Sequence, residues 1–343
     1  MRFLRNQVLV MVSMVGIVAA PAWAGVERVV DQARGMERLH SLLVLHDGVP
    51  VVEHVQAGPG LSRPANIKSL SKTVLSVIAG MAIEQGVVGS VDQSLLELLG
   101  QQVPEGVDPR AREISFGDAL AMQAGLASTS GRNYGRWVQS DNWVAHALNR
   151  PMIAQPGGRM IYSTGATHLV SAALTEASGE STLVLARRWL GEPLNIRIPP
   201  WLTDPQDIYF GGNDMHLSPR ALARIGELYR LGGELDGRRI LSEQWITASW
   251  TANGRSPWTG DDYGYGWFIT EVADRRAYYG RGYGGQALFV IPDSRMTVVI
   301  TSNPNPPSSG GHFRYLRHLV AFAIQALESQ PQSVGESQLR GLR

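Results

Sequence analysis

The chain has 343 residues, 31 basic against 30 acidic side chains, a formal net charge of +1 and no cysteine. A balance this even gives no electrostatic case for nucleic acid or an anionic membrane as partner. The missing thiol excludes disulfides, thiolate metal sites and a cysteine nucleophile, so a 44% hydrophobic composition must hold the fold by burial alone.

Arg2 and Arg5 precede an uncharged apolar run from Val8 to Ala20 that ends in Ala22-Trp23-Ala24, the small-x-small pattern of a signal-peptidase site. Residues 1–24 are therefore expected to be a cleaved signal peptide, which sends the protein to the periplasm or outside the cell. The alternative, a retained anchor, needs about 20 spanning residues, more than this run offers. Cleavage takes Lys+Arg from 31 to 29 against 30 acids, a formal charge of −1, and leaves no stable membrane span.

Downstream, Leu42–Leu45 and Val49–Val55 flank Asp47-Gly48, a pair suited to the positive φ angles of a hairpin turn, and predict two strands. Val74, Leu75, Ile78 and Ala82 recur at helical spacing within 71–85, with Gly86 as the stop. Ser115 with Asp118 predicts a capped helix start, and helices are expected over 218–231 and 241–250. From Tyr263 the pattern returns to strands over 265–270, 287–291 and 296–301, before an amphipathic helix over 313–327. Strands at both ends with helices between them imply an α+β fold. An antiparallel sheet is built from N- and C-terminal strands and flanked by helices, with a mostly helical insertion. The expected division is a sheet domain from 25–68 and 251–330, a helical domain over 69–250, and a disordered tail over 331–343.

Only two of the 31 basic residues are lysines, and both stand beside one serine in Ile67-Lys68-Ser69-Leu70-Ser71-Lys72. A base must be able to lose its proton; arginine cannot, whereas a desolvated lysine falls toward neutrality. Three residues on at a helix start, Lys72 shares a face with Ser69, where free N–H groups favour a developing anion. Taken alone, Ser-x-x-Lys also fits a capping serine beside a solvated lysine. There is no Gly-x-Ser-x-Gly elbow, and none of the eight histidines forms a paired metal-ligand motif, so no metal or cofactor is expected.

Ser69-Leu70-Ser71-Lys72 after a paired-strand start resembles the first motif of class C beta-lactamases, penicillin-binding proteins and related esterases and amidases. The stretch Tyr162-Ser163-Thr164 is similar to the family's Tyr-x-Asn, with Thr164 in place of the asparagine whose amide holds a beta-lactam or peptide carbonyl. The family's Lys-Thr-Gly is absent. In its place stands Gly280-Arg281-Gly282-Tyr283-Gly284-Gly285-Gln286, which resembles the active-site strand of hydrolases related to 6-aminohexanoate-dimer hydrolase. Gly211-Gly212-Asn213-Asp214-Met215 and Thr301-Ser302-Asn303 extend the similarity over nearly the whole mature chain.

The resemblance implies an exported serine hydrolase that cleaves an ester or amide of a small-molecule or short peptide-like substrate through a Ser69 acyl-enzyme. Lys72, or Tyr162 beside it, would be the base, and Tyr162 would return the proton to the leaving group. The Ser69 N–H and one from Gly282, Tyr283, Gly284, Gly285 or Gln286 would form the oxyanion hole; the same glycines also fit a bulged strand without catalytic duty. A true beta-lactamase or D,D-carboxypeptidase, and a silent cell-wall or peptide-binding protein, are the competing expectations. Tyr134, Trp137 and Trp143, where relatives carry substrate-covering loops, are read as packing.

Overall fold

The structure, a computed structural model, describes residues 22–307 and 310–328. The expected signal segment up to residue 21 and the tail 331–343 lie outside the described residues. A helix that the sequence pattern did not announce, α1 (Ala22–Arg34), leads into the expected hairpin, β1 (Leu39–His46) and β2 (Val49–Val55). The helical middle contains α2 (Ser71–Glu84), α3 (Thr164–Ser178) and α4 (Pro219–Arg230). Six strands follow: β3 (Gly254–Arg255), β4 (Asp262–Tyr263), β5 (Phe268–Val272), β6 (Arg275–Gly282), β7 (Gln286–Ile291) and β8 (Met296–Ser302). The last helix is α5 (Gly310–Glu328).

The eight strands form one antiparallel sheet in the order β2-β1-β8-β7-β6-β5-β4-β3, so the N-terminal hairpin pairs with the last strand and the fold is α+β. Alternation along the strands divides the core. Leu42, Val44, Tyr279, Phe289, Val298 and Ile300 face α1 and α5, while Leu43, Leu288, Val290 and Val299 join the helical side. The register Leu42↔Ile300 and Val44↔Val298 keeps like faces together across the two termini.

Helix α2 is buried from Ser71 through Ala82, as expected for a helix apolar on every side. Its polar side chains are satisfied internally: Ser71 Oγ donates to the Lys68 carbonyl at 2.6 Å, Thr73 Oγ1 to that of Gly266 at 2.8 Å, and Ser76 Oγ to that of Tyr265 at 2.6 Å. The first holds the turn before the helix, and the other two tie the helix to the segment between β4 and β5.

Candidate active site

Ser69 lies in a single 3-10 turn, Lys68–Leu70, that runs directly into α2. Lys68 takes φ +52, a left-handed conformation costing a residue with a Cβ about 1–3 kcal/mol, so its surroundings must impose it. They do so through three contacts. Asn66 Oδ1 accepts the Lys68 N–H at 2.9 Å, Asn66 Nδ2 donates to Asp214 Oδ1 at 2.6 Å, and Lys68 Nζ reaches the same oxygen at 3.0 Å. Asn66 and Asp214, neither singled out by sequence reasoning, thus fix the main chain immediately before the serine.

One turn on, Lys72 is only 3% exposed. Its Nζ lies 3.0 Å from Ser69 Oγ, 2.5 Å from the Gly212 carbonyl oxygen and 3.3 Å from Thr164 Oγ1. Burial pulls the amine below the ordinary lysine pKa, opposed by the charge and hydrogen bonding of the Tyr162 phenol and by Asp214. The Tyr162 ring packs against this amine, with Nζ 5.0 Å from its centroid. Tyr162, 90 residues beyond Lys72 in the chain, is thus brought to the Ser69–Lys72 pair.

Tyr162 and Thr164 are set by a hydroxyl ladder. Ser128 Oγ donates to the Tyr162 carbonyl at 2.6 Å, Ser130 Oγ accepts the Thr164 N–H at 2.8 Å, and the Ser130 and Thr164 hydroxyls are 2.9 Å apart. Below them Gly211 and Gly212 lie flat on α3: a Cβ on Gly212 would stand 2.8 Å from Thr164 Cγ2, and one on Gly211 2.3 Å from the Thr167 carbonyl oxygen. Only glycine lets the Gly212 carbonyl come this near Lys72.

β6 crosses above the serine turn. A Cβ on Gly280 would stand 2.4 Å from Leu70 Cδ1, and one on Gly282 would stand 2.2 Å from the Ile67 carbonyl oxygen. Pairing between β5 and β6 stops at Phe268↔Tyr279, so the main chain of Gly280–Gly282 is an open edge beside Ser69.

The other residues expected on this strand fall elsewhere. β6 ends at Gly282; Tyr283, Gly284 and Gly285 form the turn, with φ +80 and +100 at the two glycines. Tyr283 is half exposed. Gln286 opens β7 and is buried, its amide donating to the Ser302 carbonyl at 2.7 Å and accepting the Ser302 N–H at 3.2 Å. The main-chain opportunity therefore concentrates at Gly282, while Gln286 fastens β7 to β8. Arg281 places its guanidinium 4.1 Å from the Phe313 ring centroid on the opposite face of the sheet. Trp137 and Trp143 are buried, whereas Tyr134 accepts a hydrogen bond from Asn213 Nδ2 at 2.9 Å. Among the described residues no His, Asp and Glu cluster could hold a metal ion, and no helix is long and apolar enough to cross a membrane.

A serine in a tight turn, an amine from the next helical turn and a phenol from a distant loop thus meet at one place. The family model described as beta-lactamase matches residues 26–322, and the chain belongs to that family. Among solved structures it is similar to a putative 6-aminohexanoate-dimer hydrolase from Bacillus anthracis, with 19% identity, a TM-score of 0.71, and 89% of this chain and 83% of that one covered. It is also similar to EstCE1, a hydrolase with promiscuous acyltransferase activity (17%, TM-score 0.70, coverage 88% and 98%). A third is a D-stereospecific amidohydrolase from Streptomyces sp. (14%, TM-score 0.66, coverage 86% and 98%). No curated protein matches the chain in sequence.

Proposed function

We propose that the protein is an exported serine hydrolase that opens an ester or amide bond through an acyl-enzyme on Ser69. The observation that carries this reading is the environment of Lys72. A neutral amine has two N–H groups and one lone pair; with the N–H groups donated to the Gly212 carbonyl and the Thr164 hydroxyl, the lone pair faces the Ser69 hydroxyl. Burial shifts the amine toward that neutral form.

Lys72 accepts the Ser69 proton as Oγ attacks the carbonyl carbon, and the tetrahedral oxyanion is held by the Ser69 N–H and the open edge at Gly282. The proton passes by way of the Tyr162 hydroxyl to the departing alkoxide or amine, and water then releases the acid by the reverse route. Export rests on the pattern of residues 1–24. Two of the similar proteins, a hydrolase with promiscuous acyltransferase activity and a D-stereospecific amidohydrolase, support acyl-transfer chemistry of this kind. With Thr164 in place of the asparagine and no Lys-Thr-Gly in the chain, the cleft lacks two groups that hold a carboxylate-bearing beta-lactam in the family's antibiotic-hydrolysing members.

The test is intact mass after incubation with fluorophosphonate, activated esters and amides, and nitrocefin. A single adduct on the native protein that Ser69→Ala abolishes is the expected outcome. Equal labelling of the two proteins overturns the reading, and rapid nitrocefin turnover returns it to a beta-lactamase.

A further inference from the structure

Behind the cleft lies a buried ionisable pair that the acyl-transfer chemistry does not use. His168 on α3 and Asp204 have side chains with no exposure, and His168 Nε2 is 2.9 Å from Asp204 Oδ2. The imidazole is boxed by Trp137, Trp143 and Phe210, whose ring centroids lie 5.9, 5.4 and 5.9 Å away. Core packing alone would be served at lower desolvation cost by an apolar side chain. What distinguishes this pair is where its remaining polar atoms point.

Asp204 Oδ1 accepts the main-chain N–H groups of Gln206 at 2.8 Å and Ile208 at 2.9 Å, folding the loop that ends at Phe210. The other imidazole nitrogen, Nδ1, faces the Gly211 N–H at 3.5 Å. Two peptide units further on, the Gly212 carbonyl is the one that accepts from Lys72. A continuous path therefore runs from Asp204 through His168 to the Gly211 N–H, and two peptide units later through the Gly212 carbonyl to the amine beside Ser69.

We propose that His168 and Asp204 are positioning residues that hold the Gly212 carbonyl, and through it aim the Lys72 lone pair at Ser69. The assignment rests on the acyl-enzyme reading for its effect on turnover, but its geometry is testable without turnover. It requires one tautomer: Nε2 protonated and donating to Asp204, Nδ1 unprotonated and accepting from Gly211.

Asp204→Asn tests this at nearly constant volume. Its amide oxygen is claimed by the Gln206 and Ile208 N–H groups, so the NH2 turns to His168; Nε2 must then accept, and the proton moves to Nδ1, where it opposes the Gly211 N–H. The double variant His168→Phe/Asp204→Asn keeps the aromatic box and the loop cap but offers Gly211 no acceptor. A loop shift on the order of 1 Å predicts a roughly ten- to hundredfold fall in kcat for both, with KM within about twofold. Because the loop also shields Lys72 from water, the Lys72 titration and the acid limb of kcat move to higher pH. Tyr162, Asp214 and Lys68, the other ionisable groups around the amine, stay in place.

With only two lysines in the chain, selective 15Nζ-lysine labelling gives two signals to titrate in the full-length protein, and 15N-histidine labelling reads the His168 tautomer in the native protein. An unmoved Lys72 signal with unchanged kcat, alongside a lowered thermal midpoint, overturns the proposal and leaves the pair a packing device. So does a native His168 protonated at Nδ1, a result that needs no variant to fold. Full activity in Ser69→Ala would instead defeat the acyl-enzyme reading, and the Lys72 titration would still decide the positioning.

Discussion

Gly282→Ala puts the role of β6 to a quantitative test. The added Cβ would stand 2.2 Å from the Ile67 carbonyl oxygen, about 1.2 Å short of the 3.4 Å at which ordinary contact begins. The obstructing atom is backbone, one residue before Lys68 and two before Ser69, so no side chain can swing away to make room. Strand and serine turn must therefore separate by on the order of 1 Å. A misplacement of that size costs about a hundredfold in turnover, near 2.7 kcal/mol of transition-state stabilisation. Overpacking of about 1–3 kcal/mol is partly offset by the alanine's restriction of the unfolded chain, leaving a net destabilisation of roughly 1–2 kcal/mol. Gly226→Ala is the control. Its Cβ meets Thr297 Cγ2 at 2.6 Å and Leu288 Cδ1 at 2.9 Å, where α4 packs on the sheet, so it loses stability of the same order with kcat preserved. The assay is kcat and KM on an activated ester beside the calorimetric midpoint of each variant. Equal kcat losses in the two variants, or full activity in Gly282→Ala, would refute a role for the β6 edge in holding the oxyanion.

Two further substitutions test the ionisable groups. Lys72→Met should abolish turnover and change the pH dependence of stability. The Lys72 pKa is lowered on folding, so below its unfolded value near 10.5 the unfolded chain binds more protons, and the native protein gains stability as pH rises through that window. Thermal midpoints should therefore shift in favour of Lys72→Met on acidification and converge toward pH 10; a pH-independent gap would contradict a depressed Lys72. Tyr162→Phe should lower kcat by about 10²–10⁴ with little change in KM. Because the phenol holds the Lys72 pKa up against burial, the acid limb of the residual activity should move to lower pH, and a limb moving upward would contradict that coupling.

Reading the strands and helices from sequence worked where one face of an element is buried. The hairpin around Asp47-Gly48, the α2 pattern and the β7 and β8 runs all carry their period in the chain, and the predicted helix over 218–231 is observed as Pro219–Arg230. β6 escaped the pattern because its glycines, which let it approach the serine turn, also remove the side chains that would mark a strand. α1 was missed since its segment carried no stop or start signal strong enough to separate it from the apolar leader.

The sequence by itself determined the chemistry on offer: no thiol, two lysines beside one serine, and a tyrosine-bearing motif, since these depend on residue type and on spacing within a single helical turn. The tertiary structure alone decided how that chemistry is tuned. The Gly212 carbonyl and Thr164 hydroxyl that orient Lys72, the Asn66–Asp214 clamp on Lys68, the turn of Arg281 onto Phe313 and the buried His168–Asp204 pair all join positions far apart in the chain. A hydrogen bond across such a separation leaves no periodicity to read, because its energy depends on distance and direction in space and on the exclusion of water. Only the packed chain sets those.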